Sequence, residues 1–337
     1  MKLDQLAAVA RAMVADNKGL LAADESTGTI AKRLGSINVE STENARRDYR
    51  EMLFRADGLS DCISGVILYD ETIRQDAADG TSLAGLLDAQ GILPGIKVDT
   101  GARALAGAED EKITEGLDGL RDRVADYVSL GAKFAKWRAV ITIGDNIPSM
   151  YCIDTNAHAL ARYARICQEG GLVPIVEPEV LMDGAHTLDL CAHVTELTLQ
   201  RVFAELYDQG VALEGMILKP NMVIAGSDCA QQADVETVAA RTVDSLRRVV
   251  PVAVPGIMFL SGGQSEADAT AHLNAMNAKK DGLHWALSYS YGRALQASAL
   301  KVWGGDNSNS PAAQSQLLER ARQNSAACAA QYQGEAA

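Results

Sequence analysis

Lys219 stands at the end of a short apolar run, where an amine could act as a nucleophile. The run is Gly215–Leu218 (GMIL), and Pro220 follows the lysine directly. Because the residue before a proline is pushed away from the helical region, the segment is predicted to be extended, as at the end of a β-strand. An ammonium group with an apolar approach and other cations near it loses its proton more easily and can then attack a carbonyl carbon. Taken alone, a solvated lysine at a strand edge is the commoner case.

Other charged residues end similar apolar runs and occur in pairs two positions apart. Residues at i and i+2 of a strand share one face, so both members of a pair would point the same way. The pairs are Asp24 with Ser26, Lys97 with Asp99, Lys136 with Arg138, and Glu177 with Glu179. Any one pair could be a plain salt bridge. Several desolvated charges are costly unless function or mutual pairing offsets the cost, so we expect these residues to share one pocket with Lys219.

Two glycine-containing segments have the composition of phosphate sites. Ser261–Gly263 (SGG) closes an apolar run and precedes a helix predicted from Gln264, so backbone amides would converge at the positive end of the helix dipole. Ser290–Arg293 (SYGR) adds a glycine and a guanidinium group. A second anion site is predicted where Ser26, Thr29 and Arg33 follow the first run. The alternatives are a tight turn for SGG and a solvated helix start at Ser26.

Eight apolar runs alternate with segments of helical periodicity. The runs span 19–26, 62–69, 95–100, 132–141, 173–179, 215–221, 256–263 and 285–293. The predicted helices include 42–56, 113–130, 155–168, 187–207 and 235–249. Such alternation predicts an α/β fold with parallel strands, and eight units close most naturally into a (β/α)8 TIM barrel. An open doubly wound sheet is the alternative, but the first run lacks its glycine fingerprint.

Composition limits the remaining possibilities. The 337 residues show no linker, which predicts a single domain, residues 1–337, with an N-terminal helix and a polar C-terminal tail from about 307 to 337 packed on or near the barrel. A net charge of −13 argues against a nucleic-acid partner. We expect no membrane span, reduced cysteines and a cytoplasmic location. The histidines show no ligand spacing that indicates a metal, and the gap from His186 to His193 is typical of a solvated helix face.

Seven segments resemble those of class I fructose-bisphosphate aldolases, the Schiff-base, metal-independent kind. They are LLAADESTGTIAKRL, GIKVD, FAKWR, VPIVEPE, LKPNMV, FLSGGQSE and SYGRALQASALK, and they follow the family's order from Gly19 to about Cys328. The resemblance implies reversible cleavage of fructose 1,6-bisphosphate to dihydroxyacetone phosphate and glyceraldehyde 3-phosphate in glycolysis and gluconeogenesis. It also implies that no cofactor or metal is required and that the chain forms a homo-oligomer, in this family usually a tetramer.

The resemblance further implies a role for each matched residue. Lys219 would form the Schiff base with Lys136 as a nearby cation, Glu177 would protonate the carbinolamine hydroxyl with Glu179 in support, and Asp24 would accept the proton of the C4 hydroxyl. One phosphate would be held by Ser261, Gly262, Gly263, Ser290, Gly292 and Arg293. The far end of the pocket, for the second phosphate, would be lined by Ser26, Thr29, Arg33, Lys97 and Arg138.

One departure from the family pattern and two rival functions bear on these expectations. Many members end in a tyrosine that folds over the active site, whereas the last tyrosine here is Tyr332. The preference between fructose 1,6-bisphosphate and fructose 1-phosphate is therefore left open. A transaldolase-like enzyme would use the same lysine chemistry but would leave Ser261–Gly263 and Arg293 without a role. A non-catalytic barrel would be indicated by loss of Lys219, Glu177 or Asp24, and all three are present.

Overall fold

Eight parallel strands form a closed barrel surrounded by helices. The computed structural model describes residues 3–279 and 281–334. Around the barrel the strand order is β1-β10-β9-β8-β7-β6-β3-β2, while β4 and β5 form a separate antiparallel hairpin. The strands are β1 (Gly19–Ala23), β2 (Ile63–Leu68), β3 (Leu93–Lys97), β4 (Gly101–Ala104), β5 (Lys112–Glu115), β6 (Phe134–Ile141), β7 (Val173–Val180), β8 (Ile217–Leu218), β9 (Gly256–Phe259) and β10 (Ala286–Tyr291). The predicted (β/α)8 fold is confirmed.

The helices cover the outside of the barrel and both chain ends. They are α1 (Leu3–Met13), α2 (Thr27–Gly35), α3 (Glu43–Phe54), α4 (Asp70–Ile73), α5 (Leu83–Asp88), α6 (Leu120–Ser129), α7 (Met150–Gly170), α8 (Leu188–Asp208), α9 (Val235–Val249), α10 (Glu266–Ala278), α11 (Arg293–Trp303) and α12 (Ser310–Cys328). The predicted C-terminal helix corresponds to α12, which packs against α3, α10 and α11. Residues 335–337 of the predicted tail lie outside the described residues. Within the described part of the chain, no helix has the length and apolar character needed to cross a membrane.

The sequence-based prediction was wrong between residues 113 and 119. It placed a helix from Ile113, but residues 112–115 form β5, which pairs with β4 and places Thr114 opposite Ala102. Helix α6 begins only at Leu120, after Gly116 and Gly119, which both have positive φ angles (128° and 64°). Apolar residues at 113, 117 and 120 imitate a helical stripe, whereas pairing with the preceding strand decides the local structure. At α7 the predicted start was five residues late, because Ser149 caps the helix by accepting a hydrogen bond from the Cys152 N–H.

Apolar side chains fill the barrel interior and α1 closes its amino end. Phe134 of β6 lies in this interior with Leu20, Ile175 and Met258, and Leu6 and Met13 of α1 pack against the same cluster. Gly95 of β3 leaves the space that the Phe134 ring occupies, since a Cβ atom at position 95 would lie 2.1 Å from the ring Cε2. The packed interior leaves the carboxyl ends of the strands as the place for a site.

Candidate active site

Four alternating charges form a continuous chain at the carboxyl ends of the barrel strands. Lys136 Nζ of β6 lies 2.9 Å from Asp24 Oδ2, just after β1, and 3.2 Å from Glu177 Oε2 of β7. Glu177 Oε1 lies 3.2 Å from Nζ of Lys219, which follows β8. The Lys219 N–H donates to the carbonyl of Val176, which continues the pairing of β8 with β7 and fixes the backbone of the lysine. Four residues from four strands thus meet although 195 positions separate Asp24 from Lys219.

The neighbouring charges determine the protonation states of Asp24 and Lys136. Burial raises the pKa of Asp24, but the charges of Lys136 and Lys219 outweigh this effect, so the pKa lies well below its ordinary value. Burial lowers the pKa of Lys136, but the charges of Asp24, Glu177 and Asp99 raise it by more, so the net shift of its pKa is upward. Asp24 is therefore a carboxylate and Lys136 an ammonium group throughout the neutral range.

Two further ion pairs extend the charged end of the barrel. Arg138 Nε donates to Glu179 Oε2, while Lys97 Nζ lies 2.6 Å from Asp99 Oδ1. Burial lowers the pKa of Arg138, but Glu179, Glu177 and Asp99 raise it more. Of the predicted i, i+2 pairs, Lys97 contacts Asp99 directly, whereas Lys136 and Arg138 contact different carboxylates, and Glu177 and Glu179 contact different cations.

A cavity of about 520 Å³ opens beside this chain of charges. The predicted site residues that line it are Asp24, Ser26, Thr29, Arg33, Lys97, Lys136, Arg138 and Gly292. Lys219 and Glu177 do not line the cavity and are connected to it through Lys136. Ser26 Oγ and Thr29 Oγ1 lie 3.2 Å apart on its wall, at the start of α2. The cavity has room and cationic side chains for a small anionic ligand.

The SGG segment lies at the start of α10. Ser261 is buried, and Ser265 caps the helix by accepting a hydrogen bond from the Asp268 N–H. The helix begins at Glu266, two residues after the predicted start. Gly263 has a φ of +72°, and a Cβ atom there would lie 2.0 Å from Met182 Cγ, so only glycine fits this turn. None of these residues lines the cavity.

The SYGR segment ends β10 and begins α11. Ser290 is buried, and its Oγ has no hydrogen-bond partner among the described residues. Gly292, which follows β10, lies beside Arg33: a Cβ atom there would lie 3.6 Å from Arg33 Nη2, an ordinary contact distance, and 3.2 Å from the Ala22 carbonyl oxygen. Arg293 is exposed and lines a separate groove of about 360 Å³ together with Arg33. The two predicted phosphate sets therefore meet at Arg33, which the sequence did not indicate.

Sequence reasoning missed two buried residues that hold the site together. Glu25 accepts hydrogen bonds from Arg33 and from Gln296 Nε2, the latter at 3.0 Å. Arg50 of α3 is completely buried, and its Nη2 donates to the Glu25 carbonyl at 2.8 Å. Glu25 could have been found from its place beside Asp24. Nothing in the sequence distinguishes Arg50 from Arg46 and Arg47, its neighbours on the same helix.

The histidine prediction was half wrong. His193 is exposed on α8, but His186 precedes that helix and is buried, and its carbonyl accepts a hydrogen bond from the Gly226 N–H. Burial lowers the pKa of His186. In residues 3–279 and 281–334, no group of three or more His, Cys, Asp or Glu side chains could hold a metal ion.

Comparison with known proteins decides the family. The family model described as "Glycolytic: Fructose-bisphosphate aldolase class-I" matches residues 5–337. The chain belongs to the class I fructose-bisphosphate aldolases. This family makes the chain a carbon–carbon lyase, and it agrees with the resemblance that the seven segments carry.

Individual aldolases are similar over almost the whole chain. The "Probable fructose-bisphosphate aldolase class 1" of Xanthomonas axonopodis pv. citri (strain 306) is 55% identical and covers 99% of this chain and 100% of its own length. The "Fructose-bisphosphate aldolase 6, cytosolic" of Arabidopsis thaliana is also 55% identical, over 99% of this chain and 93% of its own. A solved Plasmodium falciparum aldolase, in complex with TRAP and a small-molecule inhibitor, superposes with a TM-score of 0.97 at 48% identity, covering 99% of this chain and 96% of its own.

Proposed function

We propose that this aldolase cleaves fructose 1,6-bisphosphate through a Schiff base on Lys219. The observation that carries the proposal is the chain Asp24–Lys136–Glu177–Lys219, in which one amine, one cation and two carboxylates lie within 3.2 Å of their neighbours. Lys136 keeps its proton because three carboxylates raise its pKa. Lys136 is therefore the permanent cation of the site, and Lys219 is the amine that attacks.

Formation of the imine uses Glu177. Glu177, 3.2 Å from Lys219 Nζ, first accepts a proton from Lys219, and the amine then adds to the C2 carbonyl carbon of the ketose to give a carbinolamine. Glu177 returns that proton to the carbinolamine hydroxyl, and water leaves. Glu179, two residues after Glu177 on β7, supports this step through its ion pair with Arg138 of β6. The product is a protonated imine, which accepts an electron pair far better than the ketone does.

Cleavage of the C3–C4 bond uses Asp24. The carboxylate accepts the proton of the C4 hydroxyl, C4 becomes the aldehyde of glyceraldehyde 3-phosphate, and the electron pair of the broken bond passes into the imine to give an enamine. Because the pKa of Asp24 is low, it is a weak base, and proton transfer depends on the imine withdrawing electrons from the breaking bond. Protonation of the enamine and hydrolysis release dihydroxyacetone phosphate and regenerate Lys219.

Phosphate binding orients the bond that breaks. We assign the phosphate remote from the ketone to the cavity wall with Ser26, Thr29, Arg33, Lys97 and Arg138. The phosphate on C1 is assigned to Ser261, Gly262, Gly263, Ser290, Gly292 and Arg293. The buried, unpartnered Oγ of Ser290 supports the assignment of the C1 phosphate. Binding energy from groups far from the reacting bond can align that bond without a cofactor.

The wider setting follows from the family. We infer a glycolytic and gluconeogenic role, a cytoplasmic location and assembly into a homotetramer. The location is supported by relatives named as cytosolic. No nucleic-acid partner is expected for a chain with a net charge of −13.

Reductive trapping tests the proposed nucleophile. Borohydride added together with dihydroxyacetone phosphate is expected to leave a covalent adduct on Lys219, detected by peptide mass spectrometry, and Lys219→Ala is expected to abolish both the adduct and cleavage. Lys133→Ala is the matched control, because Lys133 precedes β6 and forms no ion pair with a carboxylate in the part of the chain described. An adduct that maps to Lys136 would overturn the assignment of roles.

A further inference from the structure

Arg103 is the cation of the cavity that is least engaged with carboxylates. The other cations that line the cavity are each held by a carboxylate: Arg33 by Glu25, Lys97 by Asp99, Lys136 by Asp24, and Arg138 by Glu179. Arg103 lies 3.8 Å from Glu115, donates no hydrogen bond to any described residue, and its side chain is 64% exposed. An exposed pair at this distance contributes little, so the guanidinium group keeps its donors for a ligand.

The β4–β5 hairpin carries Arg103 on the wall of the cavity. Thr114 Oγ1 of β5 donates to the Arg138 carbonyl at 2.8 Å, and Asp99, the partner of Lys97, accepts from the Gly101 N–H at 3.2 Å. The hairpin is thus tied to two of the three cations proposed to bind the remote phosphate, to Arg138 through its carbonyl and to Lys97 through Asp99. Arg103 lies two residues beyond Gly101 on β4, on the same wall of the cavity.

The hairpin backbone is fixed while the arginine side chain is not. Glu111, buried in the turn between β4 and β5, accepts hydrogen bonds from the N–H and the Oγ of Ser149 at 2.7 and 2.5 Å. This contact fastens the hairpin to the start of α7. A planar guanidinium group on a fixed backbone can rotate onto a phosphate and bind it with two hydrogen bonds.

We propose that Arg103 is a specificity-determining residue that binds the substrate phosphate remote from the ketone. Sugar phosphates with two phosphate groups would gain this contact, and ketose monophosphates phosphorylated only at C1 would not. The inference rests on the proposed function, because it takes the direction of the substrate from the Schiff base at Lys219. Together with Lys97 and Arg138, Arg103 favours the bisphosphate.

Kinetics of Arg103→Ala with two substrates test the inference. We expect kcat/KM for fructose 1,6-bisphosphate to fall about tenfold, mainly through KM, as for the loss of one exposed charge-assisted contact. The value for fructose 1-phosphate is expected to change less than about twofold. Arg103→Lys should lose an intermediate amount, because lysine keeps the charge but not the two-pronged geometry. The loss should shrink as ionic strength rises.

Lys112→Ala is the matched control. Lys112 is an exposed cation on β5 of the same hairpin, but it does not line the cavity, so its removal should leave both substrates unaffected. An equal loss for both substrates in Arg103→Ala, or no loss for either, would overturn the inference. Trapping of dihydroxyacetone phosphate on Lys219 should persist in Arg103→Ala, since this product lacks the remote phosphate. Failure of trapping in the unmodified enzyme would instead overturn the proposed function.

Discussion

The four charges of the candidate active site stabilise one another only as a complete set. Lys136 and Glu177 are buried, and each has oppositely charged neighbours on two sides. Removing one partner from a buried ion pair leaves an uncompensated charge and typically costs about 3 to 5 kcal/mol. Lys219, the proposed nucleophile, is thus held by the same set of ion pairs that stabilises Lys136 and Asp24, and activity and stability should change together when any member is replaced.

The low pKa of Asp24 predicts how stability depends on pH. Its pKa in the folded protein lies below the ordinary value of 3.8, so the ionised group stabilises the fold above about pH 4, and this contribution is lost as the pH falls further. Asp24→Asn should therefore be less stable than the unmodified protein at pH 6, with a difference that shrinks progressively as the pH falls below about 4. Urea unfolding at each pH measures the free energy of unfolding of both proteins.

The matched control for this series is Asp88→Asn. Asp88 is exposed at the end of α5 and forms no ion pair in residues 3–279 and 281–334. Its replacement should leave stability nearly unchanged over the same pH range. A difference between Asp24→Asn and the unmodified protein that stays constant from pH 6 to pH 3 would contradict the argument from electrostatics.

At the scale of elements, the β4–β5 hairpin depends on one buried carboxylate. Glu111 accepts two hydrogen bonds from Ser149, which also caps α7. Glu111→Ala should leave the Ser149 donors unpaired and cost about 1 to 3 kcal/mol. Hydrogen exchange of residues 101–115 should accelerate, while exchange in the barrel strands should not. Glu109→Ala, an exposed change in the same turn, is the control, and equal acceleration in both variants would show that Glu111 does not anchor the hairpin.

At the scale of the whole molecule, the barrel closes around one aromatic ring. Gly95 leaves no room for a Cβ atom beside Phe134, so Gly95→Ala should force the ring or the strand to move and cost about 1 to 3 kcal/mol of unfolding free energy. Phe134→Leu alone should be destabilising, but the double variant should recover part of the loss. Thermal or urea unfolding of the four proteins provides the double-mutant cycle. Strictly additive effects would mean that the two positions do not compete for the same space.

That the chain folds as a single domain stays a prediction at this scale. Its support is that α1 packs into the barrel interior while α12 packs against α3, α10 and α11, so both ends of the described chain contact the same barrel. Proteolysis of the intact protein should then release no stable fragment of domain size.

The sequence determined the strands and the chemical groups at their ends, because both depend on local pattern. All eight apolar runs contain or overlap a barrel strand, and the charges that follow them lie at the carboxyl ends, as parallel closure requires. Segment 113–119 was mispredicted because its apolar spacing fits a helix, whereas pairing with β4, eight to fourteen residues earlier, makes it a strand.

Only the tertiary structure decided which charges pair. Lys136 lies between Asp24 and Glu177, and Arg138 turns to Glu179, although the sequence offered every combination equally. The same is true of Arg33 beside Gly292, of buried Arg50 beneath Glu25, and of Arg103 on the cavity wall. A side chain's charge is a property of one residue, whereas its partner and its burial depend on how the barrel brings distant strands together.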